Sequence, residues 1–230
     1  MGSIEIRREI PQPEPDYWAK TFDEEQRAGQ RHRALVGGLW DEMGQLQRDF
    51  LVEQGLTPDM HLLDVGCGAL RAGRLLVDHL EPGHYYGIDI GADVLQIGYD
   101  EELTDEQRAR LPEKNLRVTD RFDAEFDGTR FDMAIAQSVF THIPLNSARV
   151  CLWRIAKGMK PGGRFFVTFY ERPRGTDPDR VFRRKYSDHN VYWNYRSDLR
   201  WLAERVPFDF RYIGEWGHPR GQRMVEYTRV

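Results

Sequence analysis

The sequence has few cysteines and no long apolar run. Only two of its 230 residues are cysteine, Cys67 and Cys151, which is too few for a disulfide framework. No apolar stretch approaches the roughly 20 residues that a helix needs to cross a bilayer. The first residues also lack the apolar segment of a signal peptide. A cytoplasmic protein without a membrane partner is therefore expected.

The chain also lacks an excess of basic charge. Its 33 Lys and Arg residues are outnumbered by 37 Asp and Glu residues, and the net charge is −4. General nucleic-acid binders usually carry a clear basic excess, so no nucleic-acid partner is expected. Only five of the basic residues are lysine, and a bias to arginine suits a site that grips oxygen-rich ligands with planar, forked donors. Aromatic residues, in contrast, are abundant at 12% of the chain.

Short apolar segments alternate with segments of helical periodicity. Five strand-like segments, at 61–65, 85–89, 116–119, 131–136 and 164–169, mostly alternate with helices, which is typical of a parallel sheet covered on both faces. Two further segments, at 208–213 and 224–227, have no room for a helix between them and should pair as a hairpin. The sequence predicts an α/β fold with a Rossmann-like doubly wound sheet. The sheet is seven-stranded, mostly parallel, with an antiparallel C-terminal hairpin strand.

A glycine turn follows the first predicted strand. The segment Asp64-Val-Gly66-Cys-Gly68 lets the backbone approach a ligand closely, because glycine has no Cβ to clash. A nicotinamide fingerprint would place a third glycine where Arg71 stands. Asp89, however, lies where the ribose-binding acid of such an enzyme would sit. A nicotinamide dehydrogenase therefore stays open as a minor alternative.

Five motifs together indicate a protein family more specifically than the glycine turn alone does. In order and spacing they resemble the class I S-adenosylmethionine (SAM)-dependent methyltransferases, strongly over about residues 60–170 and moderately in the tail. The motifs are LLDVGCG at 62–68, GID at 87–89, Asp120, FDMAIAQSVFTHIP at 131–144 and MKPGGRFFVTF at 159–169. The resemblance implies SAM as the cofactor, S-adenosylhomocysteine (SAH) as its product, and a small-molecule acceptor.

The resemblance also implies which residues hold the cofactor. Three residues are expected at its methionine end, two glycines in the backbone turn beneath it, and the others at the ribose and adenine. They are Asp64, Arg71 and Gln137 for the methionine part, Gly66 and Gly68 for the turn, Asp89 for the ribose hydroxyls, and Asp120 and Phe122 for the adenine.

Alternatives to these roles exist for four of the residues. Asp64 and Asp89 could each cap the helix that follows. Phe122 could be a core phenylalanine, and Arg71 could lie solvated on its helix.

The acceptor is expected outside the carboxyl ends of the strands, where ligands gather in open α/β sheets. His142, in the loop after the fourth strand, is the candidate general base, since histidine suits proton transfer near neutral pH. Its alternative role is to fix that loop by hydrogen bonds. His218 is the rival base, with Arg220 and Gln222 as possible acceptor ligands. The alternative is a hairpin turn shaped by its glycines and proline.

An insertion at about 170–196 is predicted to cover the acceptor, with Tyr170, Tyr192 and Tyr195 against sugar faces. Residues 1–56 are interpreted as an N-terminal arm and helical lid, and residues 57–230 as the methyltransferase domain. A divalent metal bound through the two histidines is a minor hypothesis without a ligand signature. The expected oligomer is a monomer or a homodimer.

The leading interpretation is an O-methyltransferase acting on a hydroxyl of a small polar molecule. The tail WGHPRGQRM resembles those of bacterial methyltransferases of glycan and natural-product pathways, which favours a sugar. The narrowest form of this expectation is a mycobacterial 1-O-methyltransferase of a methylated mannoside. Alternatives are an N-methyltransferase, another natural-product methyltransferase, or a non-catalytic cofactor-binding module. Base methylation is disfavoured because Ala136-Gln-Ser-Val-Phe140 stands where an Asn/Asp-Pro-Pro-aromatic motif is usual.

Overall fold

The computed structural model of the chain describes residues 31–35, 38–173, 175, 187–188 and 191–230. The predicted N-terminal arm and most of the predicted insertion lie outside these residues. The described helices and strands alternate over most of the chain. They are α1 (Arg31–Leu35), α2 (Trp40–Glu53), β1 (Leu62–Val65), α3 (Gly73–His79), β2 (Tyr85–Asp89), α4 (Ala92–Glu101), α5 (Asp105–Arg110), β3 (Leu116–Val118), β4 (Phe131–Ala136), α6 (Leu145–Gly158), β5 (Met159–Glu171), β6 (Ser187–Asp188), β7 (Val191–Asn194), α7 (Arg196–Leu202), β8 (Phe208–Gly214) and β9 (Arg223–Arg229).

One mixed sheet organises the fold. Its first five strands are parallel in the order β3-β2-β1-β4-β5. Strand β9 pairs antiparallel with β5, and β8 pairs antiparallel with β9, so β8 again runs in the direction of the parallel strands. This arrangement confirms the predicted Rossmann-like sheet and its C-terminal hairpin. Strands β6 and β7 were not predicted from the sequence; they form a small hairpin in which β7 pairs parallel with the last residues of β5.

The core lies on both faces of the sheet. Along β5, Phe165, Val167 and Phe169 belong to one buried cluster, while Phe166 belongs to the other. Successive side chains of a strand point to opposite faces, so a strand with helices on both sides is apolar throughout. The two-sided burial explains why the central strands appear in the sequence as continuous apolar runs.

The N-terminal helices are tied to the sheet above the glycine turn. The buried ring of Trp40 in α2 packs with Ala69 and Val94. Arg33 of α1 donates from Nε to the carboxylate of Glu102, at the end of α4, over 2.7 Å. Helix α2 therefore lies against the segment that follows the glycine turn, and α1 is joined to the end of α4.

Helix α4 packs closely on the glycine turn through Gly98. A Cβ built at Gly98 would lie 2.5 Å from the backbone carbonyl carbon of Ala69. Because the obstacle is backbone, no side-chain rotation can relieve the overlap. The absence of a side chain at Gly98 is therefore what allows α4 to approach the segment after β1.

We predict that Gly98→Ala lowers the free energy of unfolding by about 1–3 kcal/mol, as overpacked core substitutions do. This loss opposes the usual gain of about 1 kcal/mol from replacing a helical glycine by alanine. The matched control is Gln96→Ala on the exposed side of the same helix, which should stay within about 0.5 kcal/mol of the wild type. Urea titration compares the three proteins, and equal stability of both variants would contradict the packing argument.

Candidate active site

A cavity of about 450 Å³ lies at the carboxyl ends of β1, β2 and β4. Its size falls in the range of small-molecule sites. The structure brings together every predicted site residue except Tyr192 and Tyr195. The predicted residues that line the cavity are Asp64, Gly66, Gly68, Arg71, Asp89, Asp120, Phe122, Gln137, His142, Tyr170, His218, Arg220 and Gln222.

The glycine turn forms one wall of the cavity. Gly66 has φ +73° and Gly68 has φ +55°, both in the left-handed region that favours glycine. A Cβ at Gly66 would also overlap Cγ2 of Val139. Glycine at these two positions therefore permits the left-handed turn and leaves it without side chains on the cavity wall.

Asp89 holds this turn in place. Its Oδ2 accepts from the N–H of Gly68 and its Oδ1 from the N–H of Gly91, each over 2.8 Å. Burial raises the pKa of Asp89 more than these backbone donors lower it. Each carboxylate oxygen has a second lone-pair position, so both oxygens can still accept from vicinal hydroxyls of a ligand.

Asp64 is a buried carboxyl at the end of β1. Its Oδ2 accepts a hydrogen bond from the hydroxyl of Tyr85 over 2.8 Å, and only 3% of the residue is exposed. Burial, aided by the charge of Asp89, raises the pKa of Asp64 to about 7, while Tyr85 and Arg71 oppose the rise. A cationic ligand group in the cavity would therefore stabilise the ionised form of Asp64.

Arg71 crosses from the glycine turn to the end of β4. One guanidinium nitrogen donates to Oε1 of Gln137 over 2.8 Å, and another donates to the carbonyl of Gly38 over 3.2 Å. Burial lowers the pKa of Arg71 to about 10, so it is a cation at neutral pH. With 9% of its surface exposed, Arg71 is not solvated on its helix.

Two residues other than glycine are held in left-handed conformations beside the cavity. Phe122 has φ +56° and Ser138 has φ +63°. Ser138 is fixed by its N–H, which donates to Oγ1 of Thr168 over 2.7 Å, and by Nε2 of Gln222, which donates to Oγ over 2.8 Å. Strained residues that persist under such constraints cluster at functional sites, which supports a functional role for this cavity.

Both candidate histidines line the cavity. His142 is half-buried, and its backbone N–H donates to the carbonyl of Val139 over 2.9 Å. His218 accepts at Nδ1 from the N–H of Arg220 over 3.1 Å, and its Nε2 lies 3.2 Å from Nε2 of Gln137. Burial, followed by the positive charges of Arg220 and Arg71, lowers the pKa of His218 to about 4. His218 is therefore neutral at physiological pH.

The three predicted tyrosines do not stay together. Tyr170 lines the cavity and stacks on Trp193, with ring centroids 4.7 Å apart. Tyr192 lies outside the lining, where its backbone N–H bonds to the carbonyl of Thr141 over 2.7 Å. Tyr195 lines a separate pocket with Arg172. Alternation along β7 separates Tyr192 from its neighbour Val191, which does reach the cavity.

Helix α2 contributes lining residues that the sequence analysis did not assign to the site. Met43 and Gln47 both face the cavity from this helix. In the sequence, Met43 belongs to an apolar helical stripe with Leu39 and Phe50, but such a stripe does not show which of its members meet a ligand. Gln47 stands one turn further on, and a polar residue on the same side of the helix as Met43 was the signal available in the sequence; the structure buries it, with 4% of the residue exposed.

Within the described parts of the chain, no three His, Cys, Asp or Glu side chains are placed to hold a metal ion. The described helices include none that is long and apolar enough to cross a membrane.

The donors and acceptors of the cavity suit one kind of ligand. Asp64 offers a carboxyl to an ammonium group, Asp89 offers two oxygens to a ribose diol, and Arg71 offers a cation to a carboxylate. The set fits an amino acid joined to a nucleoside, as in SAM, and the glycine turn provides the space for it.

Comparison with known proteins agrees with this arrangement. Residues 63–165 match the model of a family described as a methyltransferase domain. Over 123 residues the chain is 29% identical to phosphoethanolamine N-methyltransferase 2 of Caenorhabditis elegans, a match that covers 54% of this chain. It spans only 26% of that relative's length.

Two solved structures share the fold. Magnesium protoporphyrin IX methyltransferase of Synechocystis PCC 6803, solved with bound SAM, has a TM-score of 0.60 and 17% identity, over 94% of this chain and 90% of its own. The amino pentose methyltransferase CalS10 of Micromonospora echinaspora has a TM-score of 0.58 and 16% identity, over 92% of this chain and 99% of its own. The match of residues 63–165 to a methyltransferase-domain model, the fold shared with these structures and the chemistry of the cavity lining together support a class I SAM-dependent methyltransferase.

Proposed function

We propose that the protein transfers the methyl group of SAM to a hydroxyl group of a small polar acceptor, with sugars as the leading acceptor class. The observation that carries the proposal is one continuous cavity. It runs from the glycine turn to a polar end lined by His142, His218, Arg220 and Gln222. Bound SAM supplies an activated methyl group, and the residues of the chain position the reactants.

In the proposed cofactor end, Asp64 and Arg71 hold the amino and carboxylate groups of the methionine part. Asp89 accepts both ribose hydroxyls while it keeps its backbone bonds to Gly68 and Gly91. Asp120 and Phe122 border the adenine. Holding two reactants in register can supply most of the rate of a displacement reaction, so these contacts are the main catalytic contribution of this end.

His142 is the proposed general base for the acceptor hydroxyl. A general base works best when its pKa lies near the operating pH. The low pKa of His218, together with the hydrogen bond that Arg220 donates to its Nδ1, makes His218 a weak proton acceptor. We therefore assign proton removal to His142 and acceptor positioning to Arg220 and Gln222.

We favour sugars as acceptors because of the side chains that line the cavity and because of the fold shared with a known methyltransferase. Arg220, Gln222 and Gln47 provide several hydrogen-bonding groups, and the ring of Tyr170 provides a flat surface. Such a combination suits a polyhydroxylated ring. The shared fold of the amino pentose methyltransferase CalS10 supports the same acceptor class. The likeness to a phosphoethanolamine N-methyltransferase makes an amine the competing acceptor class.

We predict that Asp89→Asn weakens SAH binding by roughly 10- to 100-fold, since hydrogen bonds to a charged group contribute about 1.5–3 kcal/mol. Isothermal titration calorimetry measures the change. The control is Asp93→Asn on the adjacent helix, outside the cavity lining, which should bind SAH like the wild type. Unchanged affinity of Asp89→Asn would exclude its ribose role.

We predict that SAH binding weakens at low pH through Asp64. Because its pKa is about 7 in the free protein, lowering the pH from 8 to 6 protonates the carboxyl and should cost roughly tenfold in affinity. In Asp64→Asn, binding should be weak and nearly independent of pH over this window. Calorimetry at several pH values tests this, and an equal pH slope in both proteins would contradict it.

The same group affects the stability of the free protein in the opposite sense. A carboxyl whose pKa is raised on folding contributes stability that is complete below the unfolded pKa, near 4, and lost as the pH rises through about 7. The ligand-free wild type should therefore lose stability relative to Asp64→Asn as the pH rises from 4 to 8.

We predict that His142→Ala lowers kcat by about 10²- to 10⁴-fold, the usual contribution of a general base, with little change in SAH affinity. The acceptor is first found by screening monosaccharides, oligosaccharides, phenols and amines for a mass gain of one methyl group. Transfer to amines and never to hydroxyls would overturn the O-methyl proposal. Unchanged turnover of His142→Ala would remove its role as base.

A further inference from the structure

We propose that Gln137 is a positioning residue that couples filling of the cofactor end of the cavity to the hydrogen bonding of His218. The inference rests on the proposed function, because it takes Arg71 as the partner of the cofactor carboxylate. It adds a link between the cofactor end and the acceptor end of the cavity.

The side-chain amide of Gln137 lies between two groups that compete for its oxygen. Oε1 accepts from a guanidinium nitrogen of Arg71 over 2.8 Å. This contact turns Nε2 towards the other side, where it lies 2.7 Å from Oγ of Ser138 and 3.2 Å from Nε2 of His218. The amide therefore presents hydrogen-bond donors to the imidazole.

The other ring nitrogen of His218, Nδ1, already has a hydrogen-bond partner. It accepts from the backbone N–H of Arg220 over 3.1 Å, and a backbone donor cannot be reversed. A neutral imidazole has one donor and one acceptor nitrogen, so its hydrogen belongs on Nε2. In that tautomer Nε2–H points at the NH₂ group of Gln137, and two donors face each other. The ring can satisfy Arg220 or Gln137 but not both.

Rotation of the Gln137 amide by half a turn removes the conflict at His218 and instead turns the NH₂ group of the amide towards Arg71. Its oxygen then accepts from Nε2–H of His218, and the hydroxyl of Ser138 donates to the amide where it previously accepted. The opposing force is the hydrogen bond from Arg71 to Oε1. A carboxylate offered to Arg71 competes for the same guanidinium donors and, being charged, forms stronger hydrogen bonds than an amide oxygen. Filling the cofactor end therefore releases Gln137 to turn towards His218.

Rotation of the Gln137 amide affects the acceptor end of the cavity through the turn between β8 and β9. His218, Arg220 and Gln222 all line the cavity from this turn. Once Gln137 accepts from Nε2, both ring nitrogens of His218 have matched partners and the ring is fixed against the turn. The acceptor end is thus set in its final arrangement only when the cofactor end is occupied.

The experiment records the tautomer of His218 by NMR in the full chain labelled with ¹⁵N-histidine, with His218→Asn used to assign its signals. Two probes are compared at saturating concentration. SAH carries the amino-acid group, whereas 5′-methylthioadenosine has the same adenosine and thioether without it. We expect averaged tautomers without ligand, a shift to the single Nε2–H tautomer with SAH, and no shift with 5′-methylthioadenosine.

Two variants of Gln137 sharpen the test. Gln137→Glu has two acceptor oxygens, one for Arg71 and one for His218, so it should show the Nε2–H tautomer with or without SAH. Gln137→Leu has no acceptor, so saturating SAH should leave its His218 signals unchanged. The tautomer readout distinguishes coupling from a merely structural role, which would alter affinity without this pattern.

SAH that binds the wild type without changing the His218 signals, or an equal change with 5′-methylthioadenosine, would overturn the coupling and leave the proposed function standing. Failure of SAH to bind at all would overturn the proposed function, and the coupling with it.

Discussion

The carboxylate of Asp89 joins the ends of β1 and β2 by accepting from the backbone of Gly68 and Gly91. These bonds hold the glycine turn in its left-handed conformation and so fix the position of that wall of the cavity. Helix α4, which begins after Gly91, is positioned by the same contacts and packs back on Ala69 through Gly98. A single side chain thus links turn, helix and sheet, and the cavity depends on it.

Two further ionisable residues of the cavity are buried. Asp64 and Arg71 are both buried, and burial shifts both pKa values towards the neutral forms. Burial disfavours the charged form of an ionisable group, and an opposite charge nearby offsets that cost. A zwitterionic amino-acid group would bring a positive charge towards Asp64 and a negative charge towards Arg71, so ionisation of both residues would favour binding of such a ligand.

Much of the fold could be predicted from local pattern. The central strands are apolar throughout because helices cover both faces, and the hairpin of β8 and β9 was visible because no helix fits between its strands. Strand β6 was missed because it has only two residues, and β7 because its four residues are half-buried beyond the core strands and form no buried apolar run. The residues at strand ends were predictable because parallel strands meet at one edge, which brought Asp64, Asp89 and Gln137 together.

What could not be predicted depends on contacts between distant segments. Met43 and Gln47 reach the cavity only because α2 crosses the glycine turn, and no local spacing encodes that crossing. Tyr192 and Tyr195 looked equivalent to Tyr170, but the alternation of β7 and the start of α7 direct them elsewhere. The pairing of Gln137 with His218 joins residues about eighty positions apart, so it required the three-dimensional structure.

The strand order separates the two ends of the cavity. Strand β9 lies between β5 and β8, so the turn that borders the acceptor end is carried by a hairpin docked on one side of the sheet. Asp89, with its hydrogen bonds to Gly68 and Gly91, lies on the other side of β1, remote from that hairpin in strand order. Under the proposed function, substitutions in the turn therefore change which acceptor binds without disturbing the contacts of Asp89, and Gln137 is the residue through which such substitutions reach the cofactor end of the cavity.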